Sequence, residues 1–307
     1  MKHLLGLYHL SKEEILDIFS LAEKLKYETK NGIEHHLLKG RTLAMIFTKS
    51  STRTRVSFET GMYQLGGNPL FLSSNDIQLG RGETIEDTAK VLSRYVDGIM
   101  IRTFKQSDVE DLASFGTVPV INALTDLLHP CQVLADIFTV YEEFGSIENK
   151  KLAYVGDGNN MANSLLYGCA KVGMDISIAT PKGYEPDADV VAKTYEFAAE
   201  SGSKVNIGYD PEEAVKDASA VYTDTWVSMG MEEDKERRIK DFAGFLVDEE
   251  LMKKAVDNAI FLHCLPGYRG FEVSAQVMDG PQSRIFDEAE NRLHVQKAVM
   301  VKLMGGE

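Results

Sequence analysis

The chain has 307 residues and an apolar content of 44%, enough for two globular domains with a core in each. Its formal net charge of -14 argues against a general nucleic-acid surface, because duplex phosphates repel an acidic chain. Three cysteines without paired spacing favour a reduced, cytoplasmic compartment, and no apolar run approaches membrane-spanning length. We therefore expect neither a nucleic-acid nor a membrane partner, and an anionic ligand would need a local basic cluster.

The first part of the chain predicts helices and strands in alternation. Ser11 and Glu14 form a capping-box pattern at the start of a helix. The apolar face of this helix consists of Ile15, Ile18, Phe19, Ala22 and Leu25. The following elements are a strand at 42–47, a helix after 51, a loop at 73–83, a helix at 84–95, a strand at 98–101, a helix near 109–115, a strand at 118–121, a loop at 126–132 and a helix at about 133–144.

The second part of the chain continues the alternation. Its strands are predicted at 151–155, 175–179, 204–208, 220–223 and 260–263, and its clearest helices at 189–200 and 211–217. One face of a final helix is expected to pack on the first half, and consists of Leu293, Gln296, Met300 and Leu303. This alternation predicts an α/β fold of two doubly wound parallel-sheet domains, with the active site in the cleft between them.

The polar stretch after the first strand lies at a predicted strand-to-helix turn. Backbone N–H groups and the helix dipole point outward at such a turn and favour an anion. The hydroxyl groups of Ser51, Thr52 and Thr54 add donors, and the planar guanidinium groups of Arg53 and Arg55 match phosphate oxygens. The functional interpretation is a phosphate site, and the alternative is a Ser/Thr helix cap followed by two solvated arginines.

Further polar residues follow the predicted strands of both series. They are Arg102, His129 and Gln132 in the first series, and Asn160, Asp224, Ser228 and Cys264 in the second. Open α/β sheets bind ligands beyond the carboxyl ends of their strands, so these positions favour an enzyme with its site between the two halves. Single residues keep a structural alternative, since Cys264 could be a small core residue.

Four motifs resemble those of the ornithine carbamoyltransferases, in matching order over nearly the whole chain. They are Ser51-Thr52-Arg53-Thr54, His129-Pro130-Cys131-Gln132, Asp224-Thr225-Trp226-Val227-Ser228-Met229-Gly230 and His263-Cys264-Leu265-Pro266. The first two are shared with aspartate carbamoyltransferases and specify only the carbamoyl phosphate half. The last two are the ornithine-type signals and are far more specific.

The resemblance implies a role for each matching residue. Carbamoyl phosphate would be bound by Ser51, Thr52, Arg53, Thr54, Gln78, Arg102, His129, Gln132, Cys264, Leu265 and Arg292. Ornithine would be bound by Asn160, Asp224, Ser228 and Met229, and the catalytic residues would be Arg102, His129, Asp224 and Cys264. Gln78 would reach the ligand in a neighbouring subunit, since members of the family are trimers or multiples of trimers.

The resemblance also implies a division of the chain and a reaction. A carbamoyl phosphate-binding domain would comprise 1–130, completed by a C-terminal helix at 291–307. An ornithine-binding domain would comprise 145–285, and the helix at 131–144 would link the two domains. The side-chain amine of ornithine would attack the carbonyl carbon, and a tetrahedral intermediate would release phosphate to give citrulline. An alkyl ammonium has a pKa near ~10, so the neutral amine that reacts is a minority form. No metal or redox cofactor is required, because both substrates bring the reactive groups and their positioning supplies much of the remaining rate.

The residues leave the proton acceptor open between Asp224, Cys264 and the departing phosphate. Other functions also fit parts of the sequence. Gly156-Asp157-Gly158 after a strand is typical of a dinucleotide turn, although Met161 occupies the third glycine position. A non-catalytic phosphate-binding protein and a transferase for another amine, such as putrescine or an acetylated ornithine, are the remaining alternatives.

A zinc site and a surface ion pair are further alternative interpretations. His263-Cys264 and His129-x-Cys131 could bind zinc, but neither has a companion Cys-x-x-Cys pair. Arg292, expected just ahead of the last helix, could pair with Glu288 or Glu290 in a modest surface contact.

Overall fold

The chain folds into two compact units in a computed structural model that describes residues 1–227 and 232–305. Unit 1 comprises residues 1–135 and the C-terminal segment from 290, and unit 2 comprises residues 136–289. Within the described residues, no helix is both long enough and apolar enough to cross a membrane.

Unit 1 contains a four-stranded parallel sheet. The first elements of the chain are α1 (Lys12–Lys30), β1 (Thr42–Phe47), α2 (Thr52–Gln64), β2 (Asn68–Ser73), α3 (Ile85–Leu92), β3 (Gly98–Arg102), α4 (Gln106–Phe115), β4 (Val120–Leu124) and α5 (Pro130–Phe144). The strands are adjacent in the order β2-β1-β3-β4, and every pair is parallel. β1, β3 and β4 are buried because their largely apolar runs are covered on both faces, whereas β2 at the edge is half-buried to exposed.

Unit 2 contains a five-stranded parallel sheet. The later elements are β5 (Lys151–Val155), α6 (Asn160–Val172), β6 (Asp175–Ala179), α7 (Ala188–Ser201), β7 (Val205–Gly208), α8 (Pro211–Val215), β8 (Ala220–Tyr222), α9 (Lys235–Asp241), α10 (Glu249–Met252), β9 (Ile260–Leu262), α11 (Ala275–Met278) and α12 (Ile285–Met304). The strands are adjacent in the order β7-β6-β5-β8-β9. Gly173 and Gly202, both with a φ of 81°, end α6 and α7 in the left-handed conformation that glycine adopts without strain.

The central part of α12 is buried on nearly every side. Residues 294–300 are all buried, although they include His294, Gln296 and Lys297. The Lys297 ammonium group donates to Oγ1 of Thr29 (2.9 Å) and Oε1 of Gln64 (2.8 Å), and burial lowers its pKa to about 8. Lys297 is therefore hydrogen-bonded to two other helices of unit 1.

Most sequence-based element predictions are confirmed. Ser11 and Glu14 form the complete capping box, and all five predicted apolar residues of α1 are buried. The strands predicted at 42–47, 151–155 and 175–179 have the observed bounds.

Several boundaries were predicted wrongly. β2 was missed because Pro69 has no backbone N–H to donate, which argues against a strand. An edge strand tolerates such a proline. β4 runs over Val120–Leu124 instead of 118–121, beginning after Pro119. α5 starts at Pro130, which suits the first helical position, so Gln132 lies in a helix and not in a loop.

Candidate active site

Ser51 caps the helix at the turn between β1 and α2. Its side chain accepts a hydrogen bond from the backbone N–H of Thr54 (3.2 Å), and α2 begins at Thr52. The cap considered as the alternative interpretation is therefore present. A cap satisfies only part of a helix N-terminus, so the positive end of the helix dipole still lies at this turn.

The strand register places Arg102 beside the same turn. Arg102 at the end of β3 pairs with Phe47 at the end of β1, and the Thr48 N–H donates to the Arg102 carbonyl (2.9 Å). The strand order reverses between β1 and β3, since β2 lies on one side of this pair and β4 on the other. Such a switch point forms a crevice at the carboxyl ends of the strands. Ser51 and Arg102 thus occupy the position where this class of fold binds ligands.

Arg292 connects α12 to α2 and α5. Its guanidinium group donates to Oε1 of Gln132 (2.5 Å) and to Oγ1 of Thr54 (3.2 Å). All three residues are buried, and Arg292 is only 4% exposed. Arg292 lies inside α12, which begins at Ile285, so its predicted position ahead of the last helix is wrong. Its burial distinguishes these bonds from a modest surface contact.

His129, directly before α5, reports the electrostatics of this region. It is buried, and burial lowers its pKa well below the ordinary value. The charges of Arg292, Arg102 and Arg53 lower the pKa further, so the imidazole is neutral near pH 7. We call Arg53, Arg102 and Arg292 the arginine cluster. It supplies the local basic cluster that an anion requires in a chain of net charge -14.

Gln78 lies between β2 and α3. It is exposed and begins a short 3-10 helix, Gln78–Arg81, within the loop predicted at 73–83. In the part of the chain that the structure describes, no hydrogen bond joins its side chain to the arginine cluster.

Asp224 is the centre of a polar group in unit 2. It follows β8 and is 7% exposed. Its Oδ2 accepts from the Asn159 amide (2.8 Å), and its Oδ1 accepts from the Thr225 N–H (2.7 Å) and the Cys264 thiol (3.2 Å). Asn159 follows β5, which neighbours β8 at the point where this sheet reverses its order. Asp224 and Asn159 therefore lie at the switch point of the second sheet.

Asn159 was not identified from the sequence, which pointed to its neighbour Asn160. Asn159 is the N-cap of α6, and its Oδ1 accepts from the N–H groups of Met161 (2.9 Å) and Ala162 (3.3 Å). Asn160 is the first residue of the helix and is half-buried. The signal was present, because asparagine is a preferred N-cap residue.

The Cys264 side chain is a thiol that donates to Asp224. Burial raises its pKa well above the ordinary value, and the negative charges of Asp224 and Glu288 raise it further. The thiolate is therefore disfavoured near pH 7.

Buried His263 holds the backbone that follows Cys264. Its Nδ1 accepts from the Leu265 N–H (2.9 Å), which makes Nε2 the protonated nitrogen, and Nε2 lies 3.2 Å from Oε1 of Glu272. Leu265 has a φ of 58° and precedes a cis bond to Pro266. Oε1 of Glu272 also accepts from the Tyr268 N–H (2.5 Å), and neither contact could be identified from the sequence.

Asp224, His263 and Cys264 offer possible metal ligands within 4.8 Å of one another. Their atoms are already engaged, however. Nδ1 of His263 accepts from Leu265, its Nε2 faces Glu272, and the Cys264 thiol donates to Asp224. A metal would require deprotonation of the thiol and loss of these bonds.

The glycine turn after β5 serves packing instead of a dinucleotide. A Cβ atom on Gly158 would lie 2.3 Å from the backbone of both Glu185 and Pro186, and the Gly158 N–H donates to the Tyr184 carbonyl (2.8 Å). The buried Asp157 carboxylate pairs with Arg238. The close approach at Gly158 is therefore to the protein's own chain.

Two predicted ornithine contacts, Ser228 and Met229, lie outside the described residues. The remaining predicted residues fall into two groups. Unit 1 holds Ser51, Thr52, Arg53, Thr54, Gln78, Arg102, His129, Gln132 and Arg292, and unit 2 holds Asn160, Asp224, Cys264 and Leu265.

Comparisons with known proteins match both units. The carbamoyl-P binding domain model of the aspartate/ornithine carbamoyltransferases matches residues 2–142, and the Asp/Orn binding domain model matches residues 148–303. The ornithine carbamoyltransferase of Caldicellulosiruptor saccharolyticus is 60% identical over 98% of both chains, and that of Pelobacter propionicus is 55% identical over 100% of this chain and 99% of the relative.

Solved structures agree with the sequence comparisons. The ornithine carbamoyltransferase of Pyrococcus furiosus superposes with a TM-score of 0.97 at 53% identity, covering 100% of this chain and 98% of the other. The anabolic ornithine carbamoyltransferase of Campylobacter jejuni superposes with a TM-score of 0.92 at 48% identity, covering 99% of each chain. The chain belongs to the aspartate/ornithine carbamoyltransferase family.

Proposed function

We propose that the protein transfers the carbamoyl group of carbamoyl phosphate to the side-chain amine of L-ornithine, giving L-citrulline and phosphate. The observation that carries the proposal is the arginine cluster around a neutral His129, at the switch point of a unit that matches a carbamoyl phosphate-binding domain. Relatives of 60% and 55% identity over nearly the full chain are named ornithine carbamoyltransferases.

Unit 1 would bind carbamoyl phosphate. The phosphate would be bound by Ser51, Thr52, Arg53, Thr54 and Arg102. Gln132 and His129 would contact the carbamoyl group, and the bonds of Arg292 would orient Gln132 and Thr54. Negative charge that grows on the carbonyl oxygen would be stabilised by preorganised donors of Arg102, His129 and Thr54.

Unit 2 would bind ornithine. Asn160, Ser228 and Met229 are the proposed contacts, with Asp224 taking the α-ammonium group. Cys264 and the backbone of Leu265 would lie beside the attacking amine and the carbamoyl group. Because the Cys264 thiol keeps its proton, Asp224 and the departing phosphate are the better proton acceptors.

We assign residues 1–130, completed by 291–307, to the carbamoyl phosphate-binding domain and 145–285 to the ornithine-binding domain, joined by the helix at 131–144. The two substrates would meet between the domains. The amine would attack as the neutral form, through a tetrahedral intermediate, without a metal or redox cofactor, and positioning would supply much of the rate.

The proposed assembly is a homotrimer or a multiple of trimers. Gln78 is exposed on its loop, where it could reach the ligand of a neighbouring subunit. A cavity of about 380 Å³ beside the turn between β1 and α2, lined in part by Ser51, Thr52 and Phe71, offers space for such a loop. Leu70 and Phe71 of the edge strand β2 are 41% and 37% exposed, which fits a surface that another copy covers.

We further propose a cytoplasmic enzyme of arginine biosynthesis without nucleic-acid or membrane partners. All three cysteines are free, as expected in a reduced compartment. A structure of 48% identity is described as an anabolic ornithine carbamoyltransferase.

A product assay tests the function. The protein is incubated with carbamoyl phosphate and, separately, with ornithine, putrescine, N-acetylornithine or aspartate, and the carbamoylated product and phosphate are measured. We expect citrulline and phosphate in equal amounts, with the highest kcat/KM for ornithine. A higher kcat/KM for another amine would contradict the substrate assignment. Binding of carbamoyl phosphate without turnover of any amine would identify a non-catalytic binding protein.

A further inference from the structure

Buried Glu288 bonds to the ends of two neighbouring strands. It lies in the first turn of α12 and is 0% exposed. Its Oε1 accepts from the Tyr222 hydroxyl (3.2 Å), and its Oε2 accepts from the His263 N–H (2.9 Å). Tyr222 is the last residue of β8, and His263 directly follows β9. One carboxyl group therefore joins the two chain segments that lead to Asp224 and Cys264.

This contact lies where the strand ladder ends. β8 and β9 have three residues each, and Tyr222–Leu262 is their last paired position. The next bond, from the Thr223 N–H to the Leu262 carbonyl, is already 3.4 Å long. Beyond it, the contact between the Cys264 thiol and Asp224 (3.2 Å) depends on groups outside the ladder. Glu288 provides such a group.

Asp136 is a second carboxyl group hydrogen-bonded to Glu288, and both are 0% exposed. Ionised carboxylates only accept hydrogen bonds, so a bond between two of them requires one proton. Burial raises the pKa of Glu288, which favours that proton, while the bonds from Asp136, His263 and Tyr222 act in the opposite direction. One proton held between the two carboxyl groups would satisfy this bond and would leave one negative charge behind the strand ends.

We propose that Glu288, sharing one proton with Asp136, is a positioning residue that holds Asp224 and Cys264 in register for the use of ornithine. The proposal rests on the function proposed above. Glu288 does not contact the reacting atoms and acts through the ends of β8 and β9. Its variants should therefore affect ornithine and leave carbamoyl phosphate binding in unit 1 unchanged.

Three variants separate this role from general stability. Glu288→Ala removes all three bonds. Glu288→Gln keeps the shape and one acceptor oxygen, which can hold the bond from the His263 N–H, while its amide nitrogen can donate to Asp136 and the bond from the Tyr222 hydroxyl is lost. Asp287→Ala is the matched control, because Asp287 is an exposed acidic residue of the same helical turn.

The measurements are kcat and KM for ornithine, the Kd of carbamoyl phosphate by calorimetry, and the rate at which iodoacetamide alkylates Cys264, followed by mass spectrometry. We expect Glu288→Ala to lower kcat/KM for ornithine at least tenfold with the carbamoyl phosphate Kd within twofold. We expect Glu288→Gln and Asp287→Ala to stay within threefold of wild type. If Glu288→Ala does not fold, Tyr222→Phe replaces it, with an expected loss of about threefold.

The proposal is overturned if Glu288→Gln is as impaired as Glu288→Ala, or if both substrates are affected equally. Wild-type kinetics in Glu288→Ala, or in Tyr222→Phe where that variant is used, overturn it as well. If the wild type itself forms no citrulline, the proposed function fails and alkylation decides the positioning role separately. Faster alkylation of Cys264 in Glu288→Ala than in Glu288→Gln, or in the Tyr222→Phe replacement than in wild type, supports that role, and equal rates contradict it.

Discussion

Asn159 has two separable tasks, and substituting it tests which one matters for ornithine. Its amide nitrogen donates to Oδ2 of Asp224 (2.8 Å), while its amide oxygen caps α6 through the N–H groups of Met161 and Ala162. Asn159→Ser keeps a good N-cap residue but loses the bond to Asp224. Asn159→Ala loses both.

The two tasks differ in their expected energies. A hydrogen bond to a charged group contributes about 1.5–3 kcal/mol, and about 1.4 kcal/mol corresponds to tenfold in an equilibrium constant. We therefore expect both variants to lower kcat/KM for ornithine by roughly tenfold to a hundredfold. Loss of the cap costs about 1 kcal/mol of unfolding free energy, and this loss should appear only in Asn159→Ala.

The assay is citrulline formation at saturating carbamoyl phosphate over a range of ornithine concentrations, with urea unfolding of the same proteins. Calorimetric titration with carbamoyl phosphate is the control and should be unchanged, because Asn159 belongs to unit 2. Wild-type kinetics for Asn159→Ser together with impaired kinetics for Asn159→Ala would refute the reasoning. The cap, and not the bond to Asp224, would then be the important contact.

Four further predictions follow from the arginine cluster, the thiol and the exposed loop. Arg53→Ala should raise the calorimetric Kd of carbamoyl phosphate at least tenfold, because a charged partner of the phosphate is removed, and an unchanged Kd would contradict its assignment. Cys264→Ala should lower kcat/KM for ornithine with little change in carbamoyl phosphate binding; normal kinetics would remove Cys264 from the site. Because its raised pKa keeps Cys264 protonated, wild-type Cys264 should react slowly with iodoacetamide near pH 8 and faster as the pH rises. A rapid, pH-independent reaction would show a thiolate instead. Mixed oligomers of Gln78→Ala and Arg102→Ala subunits should regain activity that neither variant has alone, and no recovery in verified hybrids would argue against a shared site.

The α/β architecture could be predicted from the sequence because most of its strands are short apolar runs. β1 and β3 are short apolar runs that only a sheet covered on both faces accommodates, and polar residues follow them directly. The same rule located Arg102 and Asp224 at strand ends. β2 was missed because an edge strand carries no such apolar signal and contains Pro69.

The interactions within the candidate site could not be predicted in the same way. Arg292 and Thr54 are 238 positions apart, and Glu288 and Tyr222 are 66 positions apart. No local pattern encodes these pairs, since they depend on how α12 packs. The sequence also did not distinguish Asn159 from Asn160. A shift of one residue in the predicted start of α6 decides which asparagine caps the helix and which lies inside it.

Unit 1 is formed by two separate segments of the chain, and this affects its folding during translation. Its sheet is complete at β4, but the helical segment from 290 that carries Arg292 and buried Lys297 is translated only after the whole of unit 2. Unit 2 is one continuous stretch and can fold as soon as it leaves the ribosome, whereas unit 1 must wait with an uncovered apolar surface. Chains truncated before residue 290 and released from the ribosome should therefore present a protease-resistant unit 2 beside a protease-sensitive N-terminal region.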